Sequence, residues 1–215
     1  MAEMKIGFIG SGAVAQVLAA GFAEKGYEVK ISSRDTTKLA DWLASAGENV
    51  SAGTFAEAAE FGDVVFLSVN FANTRSAMEL AGKERLKGKI VVDLSNPMDF
   101  SKGIPPAFAV SYGNSLGEQV QAALPESHVV KAFNSMGANV MTSPIFEGET
   151  ATHFIAGNDE GAKSTVKRLA EEFGWEVLDA GDIGQSFFLE ALASLWVNYS
   201  IKSGQREQAF KLLSR

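Results

Sequence analysis

Short apolar runs alternate along this chain with longer stretches in which apolar residues recur every three or four positions. The short runs predict strands at Lys5–Ile9, Glu28–Ser32, 63–69, 89–94, 128–133, 152–156 and Glu176–Asp179, with a minor strand near 49–51. Val64-Val65-Phe66-Leu67 and Ile90-Val91-Val92 are continuous and do not alternate, which suits strands covered on both faces of a parallel sheet. Over 13–25, Val14, Val17, Leu18, Gly21 and Phe22 fall on one helical face and Gly26 supplies a stop. Similar spacing predicts helices over 36–46, 55–60, 73–80, 114–124 and 159–173. Strand–helix alternation from the start predicts a doubly wound α/β fold with a mostly parallel, Rossmann-type sheet.

The stretch 98–112, with Pro105-Pro106, reads as a long loop of the kind that is often functional. No linker rich in Ser, Gly or Pro divides the chain. The expected organisation is a nucleotide-binding core over 1–135 and a small extension over 136–215, a βαβ unit then helices, packed directly on it. Within that extension, 184–199 holds Phe187, Phe188, Leu189, Leu192, Leu195, Trp196 and Tyr199, a broad apolar surface for one helix. Such a helix needs cover on more than one side, so packing on the sheet and a subunit interface are both open.

Composition narrows the partners. The 215 residues carry a formal charge of −7, which disfavours nucleic acid, since binding it usually needs a basic face. There is no cysteine, so disulfides, thiolate metal sites and a cysteine nucleophile are excluded together. The start runs directly into a strand pattern, and no apolar run approaches the roughly 18–20 residues needed to span a bilayer. A cytoplasmic protein without a membrane span is the expectation.

The first strand ends at Gly10-Ser11-Gly12-Ala13-Val14-Ala15, and the first helix opens there. This is the context in which G-x-G-x-x-A serves as a dinucleotide fingerprint: a tight turn, close backbone approach to a pyrophosphate, and a helix N-terminus facing the anion. An NAD-binding protein places an acid after the second strand, on the ribose 2′-hydroxyl. Here the chain reads Ser32-Ser33-Arg34, with Lys38 four residues on. A hydroxyl and a guanidinium attract a 2′-phosphate where a carboxylate would repel it, so NADP is favoured. Asp35 is expected to cap the following helix; if it faced the ribose instead, NAD would be the cofactor.

Later strand ends read Ser68-Val69-Asn70, Ser95-Asn96-Pro97 and Asn134-Ser135-Met136-Gly137-Ala138, small and amide side chains suited to a nicotinamide carboxamide. The same residue types also make ordinary turns. The two histidines, His128 and His153, fall at or within strands and read as structural. No lysine or tyrosine stands out as a proton donor for a carbonyl or imine. Hydride exchange between two redox cofactors needs mainly stacking and alignment, so the chain leans toward it and offers neither a catalytic side chain nor a metal site.

Ile6-Gly7-Phe8-Ile9-Gly10-Ser11-Gly12, Ser33-Arg34, Val92-Asp93-Leu94-Ser95-Asn96-Pro97 and Val130-Lys131-Ala132-Phe133-Asn134 resemble the NADPH:coenzyme F-420 (F420) oxidoreductases. They are equally similar to the cytoplasmic reductase domains of six-transmembrane metalloreductases. The resemblance implies that the glycine turn and the Ser-Arg pair hold NADPH and that Val69 borders the nicotinamide. It places the 135–138 loop near a second cofactor, whose ring stacks on the nicotinamide. Archaeal deazaflavin enzymes carry His and Pro where this chain has Asn134 and Gly137. The metalloreductase domains carry Asn there and use a flavin, so the second cofactor is F420 or FMN/FAD. Family members are commonly dimeric through the C-terminal region, which implies a homodimer. Pyrroline-carboxylate and hydroxy-acid reductases place a helical substrate domain after a similar first unit, and the short stretch after Gly181 disfavours that class. A small-molecule imine or carbonyl reductase and a non-catalytic NADPH sensor remain the alternatives.

Overall fold

The computed structural model describes residues 4–215, so Met1–Glu3 lie outside the described part. Eight strands form one sheet: β1 (Lys5–Ile9), β2 (Glu28–Ser32), β3 (Val50–Gly53), β4 (Val64–Leu67), β5 (Ile90–Asp93), β6 (His128–Lys131), β7 (Thr152–Gly157) and β8 (Glu176–Asp179). Their spatial order is β8-β7-β6-β5-β4-β1-β2-β3. All neighbours are parallel except β6 and β7, which pair antiparallel at Ala156 with Lys131. Strand order reverses between β1 and β4, and the connections leaving their carboxyl ends run to opposite faces of the sheet, which leaves a crevice there.

Helices cover both faces: α1 (Ala13–Glu24), α2 (Phe55–Phe61), α3 (Thr74–Ala81), α4 (Leu116–Ala123), α5 (Glu160–Glu171) and α6 (Ser186–Ser203). One face packs Phe8 on Phe66 with centroids 4.8 Å apart, and Phe22 lies 4.8 Å from Phe173. The other face buries Ile9, Val65, Leu67, Val91, Leu86 and Val129. Burying each such side chain stabilises by about 1.5–3 kcal/mol. Two apolar faces explain why β4 and β5 read as continuous apolar runs and do not alternate.

Three expected elements differ. The 36–46 helix is a 3-10 turn, Thr36–Leu39, and one α-turn, Ala40–Leu43. Consecutive β-branched Thr36 and Thr37 disfavour helix, and only Leu39 of this stretch is buried to anchor one. The helix expected from residue 114 starts at Leu116, because Ser115 caps it in a box with Glu118. The 98–112 loop contains a short antiparallel ladder, Met98–Asp99 with Ala107–Phe108. A hairpin pairing Ile145–Phe146 with Glu149–Thr150 turns through Glu147 and Gly148, both at positive φ. Residues 136–215 add β7 and β8 to the same sheet. After α6 the tail returns: the Thr152 N–H donates to the Phe210 carbonyl at 2.9 Å, and Trp196 Nε1 donates to the Gln208 carbonyl at 2.8 Å.

Candidate functional site

Five strand ends meet at one cleft. Its first part, about 330 Å³, is lined by Gly10, Ser11 and Gly12 after β1, Ser33 and Arg34 after β2, and Ser68, Val69 and Asn70 after β4. A second part of about 290 Å³ shares Gly12, Ser68, Val69 and Asn70, and adds Ala13, Val14, Asn96, Phe133, Asn134 and Met136. A larger groove of about 540 Å³ between α3 and α4, lined by Arg75, Glu79 and Lys83, lies away from this convergence. We place the site at the strand ends because ligands of open α/β sheets lie there.

The turn after β1 has the geometry its glycines imply. Gly10 sits at φ +124°, and a Cβ there would collide with the Ser68 carbonyl. Around Gly12 nothing lies within 4 Å of a Cβ position, so its backbone faces open space in the cleft. Among the described residues no side chain caps α1, which leaves its first N–H groups without a side-chain partner there. An uncapped helix start beside an open glycine is a cradle for an anionic group.

At the end of β2, alternation separates the two serines. Ser32 is fully buried, and its hydroxyl donates to the Phe8 carbonyl at 2.7 Å, whereas Ser33 and Arg34 line the cleft. Arg34 makes no ion pair among the described residues. Asp35 turns away and accepts from the Thr37 N–H at 3.2 Å, capping the turn as expected. The Thr37 hydroxyl, with its N–H, holds the Asp35 carboxyl below the ordinary aspartate value. Lys38 pairs with Asp35 at 3.8 Å and does not line the cleft.

At the other end, Asn96 and Asn134 form a reciprocal pair. Asn96 Nδ2 donates to the Asn134 carbonyl at 2.8 Å, and Asn134 Nδ2 donates to Asn96 Oδ1 at 3.0 Å. Asn134 Nδ2 also donates to the Leu189 carbonyl at 3.0 Å, and its Oδ1 is buried without a partner. A buried acceptor left unpaired costs about 1–3 kcal/mol, so a ligand donor there gains that difference. Pro97, Ser135 and Ala138 do not line the cleft; Pro97 and Ser135 are buried behind it.

Three features behind the site escaped the sequence reading. Phe133 holds φ +53°, and its strained N–H donates to His153 Nε2 at 3.2 Å. Burial pushes the His153 imidazole down to about 3, so it is neutral and accepts at Nε2. Lys131 is fully buried, 2.6 Å from Asp93 and 2.9 Å from Glu190, and donates to the Ser95 carbonyl at 2.8 Å. Burial alone would lower its pKa; attraction to Asp93 and Glu190 outweighs this and raises it. A lone lysine in an apolar strand and a lone glutamate in an apolar helix were the signals available.

The topology and the glycine turn define a Rossmann-type α/β protein with its cleft at the switch point. A family model described as NADP oxidoreductase coenzyme F420-dependent matches residues 5–97. A crystal structure provisionally described as an F420-dependent NADP-reductase from Arthrobacter sp. FB24 superposes at TM-score 0.93. It is 35% identical to this chain, with 98% of this chain and all of that one covered. The chain belongs to this oxidoreductase family. The F420-dependent NADP reductase of Methanocaldococcus jannaschii is 34% identical over 68% of this chain and 66% of its own length. Metalloreductase STEAP3 of Rattus norvegicus is 30% identical over 87% of this chain but only 36% of its own length. This chain thus spans about two thirds of the first of these curated relatives and about a third of the second.

Proposed function

We propose that the cleft binds NADP(H) in extended form and that the protein transfers hydride between it and coenzyme F420, with FMN or FAD as the competing acceptor. The observation that carries the cofactor half is the placement of Arg34, without an ion-pair partner among the described residues, at one end of a cleft whose glycine turn opens on an uncapped helix. In this reading the α1 N-terminus receives the pyrophosphate, and Ser33 and Arg34 receive the 2′-phosphate. Lys38, exposed and outside the cleft lining, adds only long-range attraction. Val69 and Asn70 wall the middle, while Asn96 and Asn134 present amide groups to the carboxamide. Bound there, the dinucleotide would supply the hydride-bearing ring.

The residues lining the second part of the cleft carry no ionisable side chain. His128 is at the sheet's far end against Asp159, and His153 is sealed behind Phe133. Such a lining can align a ring but offers it no titrating proton donor; it suits a partner that needs no proton from the protein. Met136, from the 135–138 loop, borders the space for that partner. The family supports F420 as acceptor, and Asn134, by which the chain resembles the metalloreductase domains, keeps a flavin as the competitor.

Two further readings complete this proposal. Phe188, Leu195 and Tyr199 are exposed on α6, which supports a homodimer through that helix. No helix among the described residues is long and apolar enough to cross a membrane; the cytoplasmic place of work rests on the resemblance to the F420-dependent reductases. The test of the reaction follows NADPH absorbance with purified protein and, in turn, F420, FMN, FAD and a panel of ketones and imines. Oxidation with F420 or a flavin alone is expected; turnover with ketones or imines alone would overturn the proposal.

A further inference from the structure

The buried charges behind the cleft join four segments at one point. Asp93 closes β5, Lys131 closes β6, Leu116 and Gly117 open α4, and Glu190 lies within α6. Glu190 accepts from the Leu116 N–H at 3.0 Å and the Gly117 N–H at 2.8 Å, while its Oε1 also takes the Lys131 ammonium. Asp93 Oδ1 accepts from the Ser95 N–H at 2.9 Å, and its Oδ2 takes the ammonium alone. None of these three charged side chains lines the cleft, yet each is one to three residues from a group that fixes it. Asn96 follows Asp93, Asn134 follows Lys131, and the carbonyl of Leu189, next to Glu190, takes a hydrogen of the Asn134 amide.

Apolar groups of the same volume would fill this place at similar or lower cost, because three buried charges are expensive to desolvate. What they provide and apolar groups cannot is a fixed register between α6 and the strand ends. The approach of α4 to α6 is already at its limit, since a Cβ on Gly117 would collide with Ser186. Packing therefore sets how close α6 can come, and the Glu190 carboxylate sets where along its axis it stops. That stop places the Leu189 carbonyl, which in turn decides which way the Asn134 amide faces.

We propose that Glu190, acting through Lys131 and the first turn of α4, is a positioning residue for the carboxamide end of the cleft. It holds the Asn134 amide so that Oδ1, buried and unpartnered, is the atom offered to a primary amide donor of the ligand. The inference rests on the dinucleotide reading above, and it separates the two ends of the ligand. The 2′-phosphate end, at Arg34, is built by β1, β2 and β4 and shares no hydrogen bond with the network.

The experiment measures, by calorimetry, binding of NADPH and of 2′,5′-ADP, which lacks the nicotinamide half, to wild-type protein and Glu190→Gln. Expected is a loss of tenfold or more for NADPH with less than a twofold change for 2′,5′-ADP. A variant that was merely destabilised would weaken both alike, and equal weakening or no change for either overturns the inference. Wild-type protein that binds NADPH no tighter than 2′,5′-ADP also overturns it, while leaving the nucleotide site standing. Wild-type protein that binds neither overturns the dinucleotide reading itself. Should Glu190→Gln not fold, Glu190→Asp, which keeps the charge but withdraws it by one methylene, is held to the same criterion. Failure of both to fold would make the network a stability element and refute a positioning role.

Discussion

His153 offers a perturbation whose size follows from its environment. Its Nε2 accepts the N–H of Phe133, a non-glycine residue at φ +53° that lines the cleft, and its ring is fully buried. Folded, the imidazole stays neutral until pH falls to about 3; unfolded, it takes a proton near the ordinary 6.5. Between those values the unfolded chain binds a proton that the folded chain refuses, so stability falls as pH falls. Well below 6.5 the slope approaches about 1.4 kcal/mol per pH unit, and from about pH 7.5 to about pH 5 this one group removes about 2 kcal/mol. Paired carboxylates lose their contributions mainly below that window. Urea unfolding of wild-type protein and His153→Gln at both pH values reads the effect, with glutamine keeping an acceptor for the Phe133 N–H. The pH-dependent loss is expected to be about 2 kcal/mol smaller in the variant. Equal pH dependence in the two proteins would refute a neutral, buried His153 as the support of Phe133.

Other perturbations report on neighbouring parts. Lys131→Met leaves Asp93 and Glu190 buried without their cation, a loss of about 3–5 kcal/mol; calorimetry should show a melting temperature lower by ~6–20 °C. Gly10→Ala forces a side chain into a φ of +124° and against the Ser68 carbonyl. It should cost about 1–3 kcal/mol in urea unfolding and abolish detectable NADPH binding, because the two cleft walls are pushed apart.

What the sequence disclosed depended on how local the cause was. Val64–Leu67 and Ile90–Val92 announced a sheet covered on both faces, because burial imposes its pattern residue by residue. Asp35 was legible as a cap from its place before Thr36-Thr37, yet the helix it was expected to start is only a turn, since that stretch buries too little apolar surface. In Ser32-Ser33-Arg34 the expected pair is Ser33 with Arg34, and strand alternation separates the two serines, sending the Ser32 hydroxyl into the sheet while Ser33 lines the cleft. Residues 10–14, 69–70, 96 and 134 meet because parallel strands end on the same side, a consequence of topology that the motif context already contained. Lys131 with Asp93 and Glu190, and His153 with Phe133, were not legible: their partners lie 20 to 59 residues away in sequence. Nor does composition mark a backbone at positive φ when the residue is phenylalanine. The tail that folds back onto Thr152 is set by packing around Trp196, which no periodicity within 205–215 foretells.

The proposed cleft is built for a dinucleotide bearing a 2′-phosphate, and Arg34 is the residue on which that specificity turns. Dissociation constants for NADPH and NADH, measured by titration of wild-type protein and Arg34→Ala, test it directly. Loss of a charge-assisted contact of ~1.5–3 kcal/mol should weaken NADPH by about 10- to 150-fold while leaving NADH nearly unchanged. Equal weakening of the two nucleotides, or wild-type protein that prefers NADH, would contradict it.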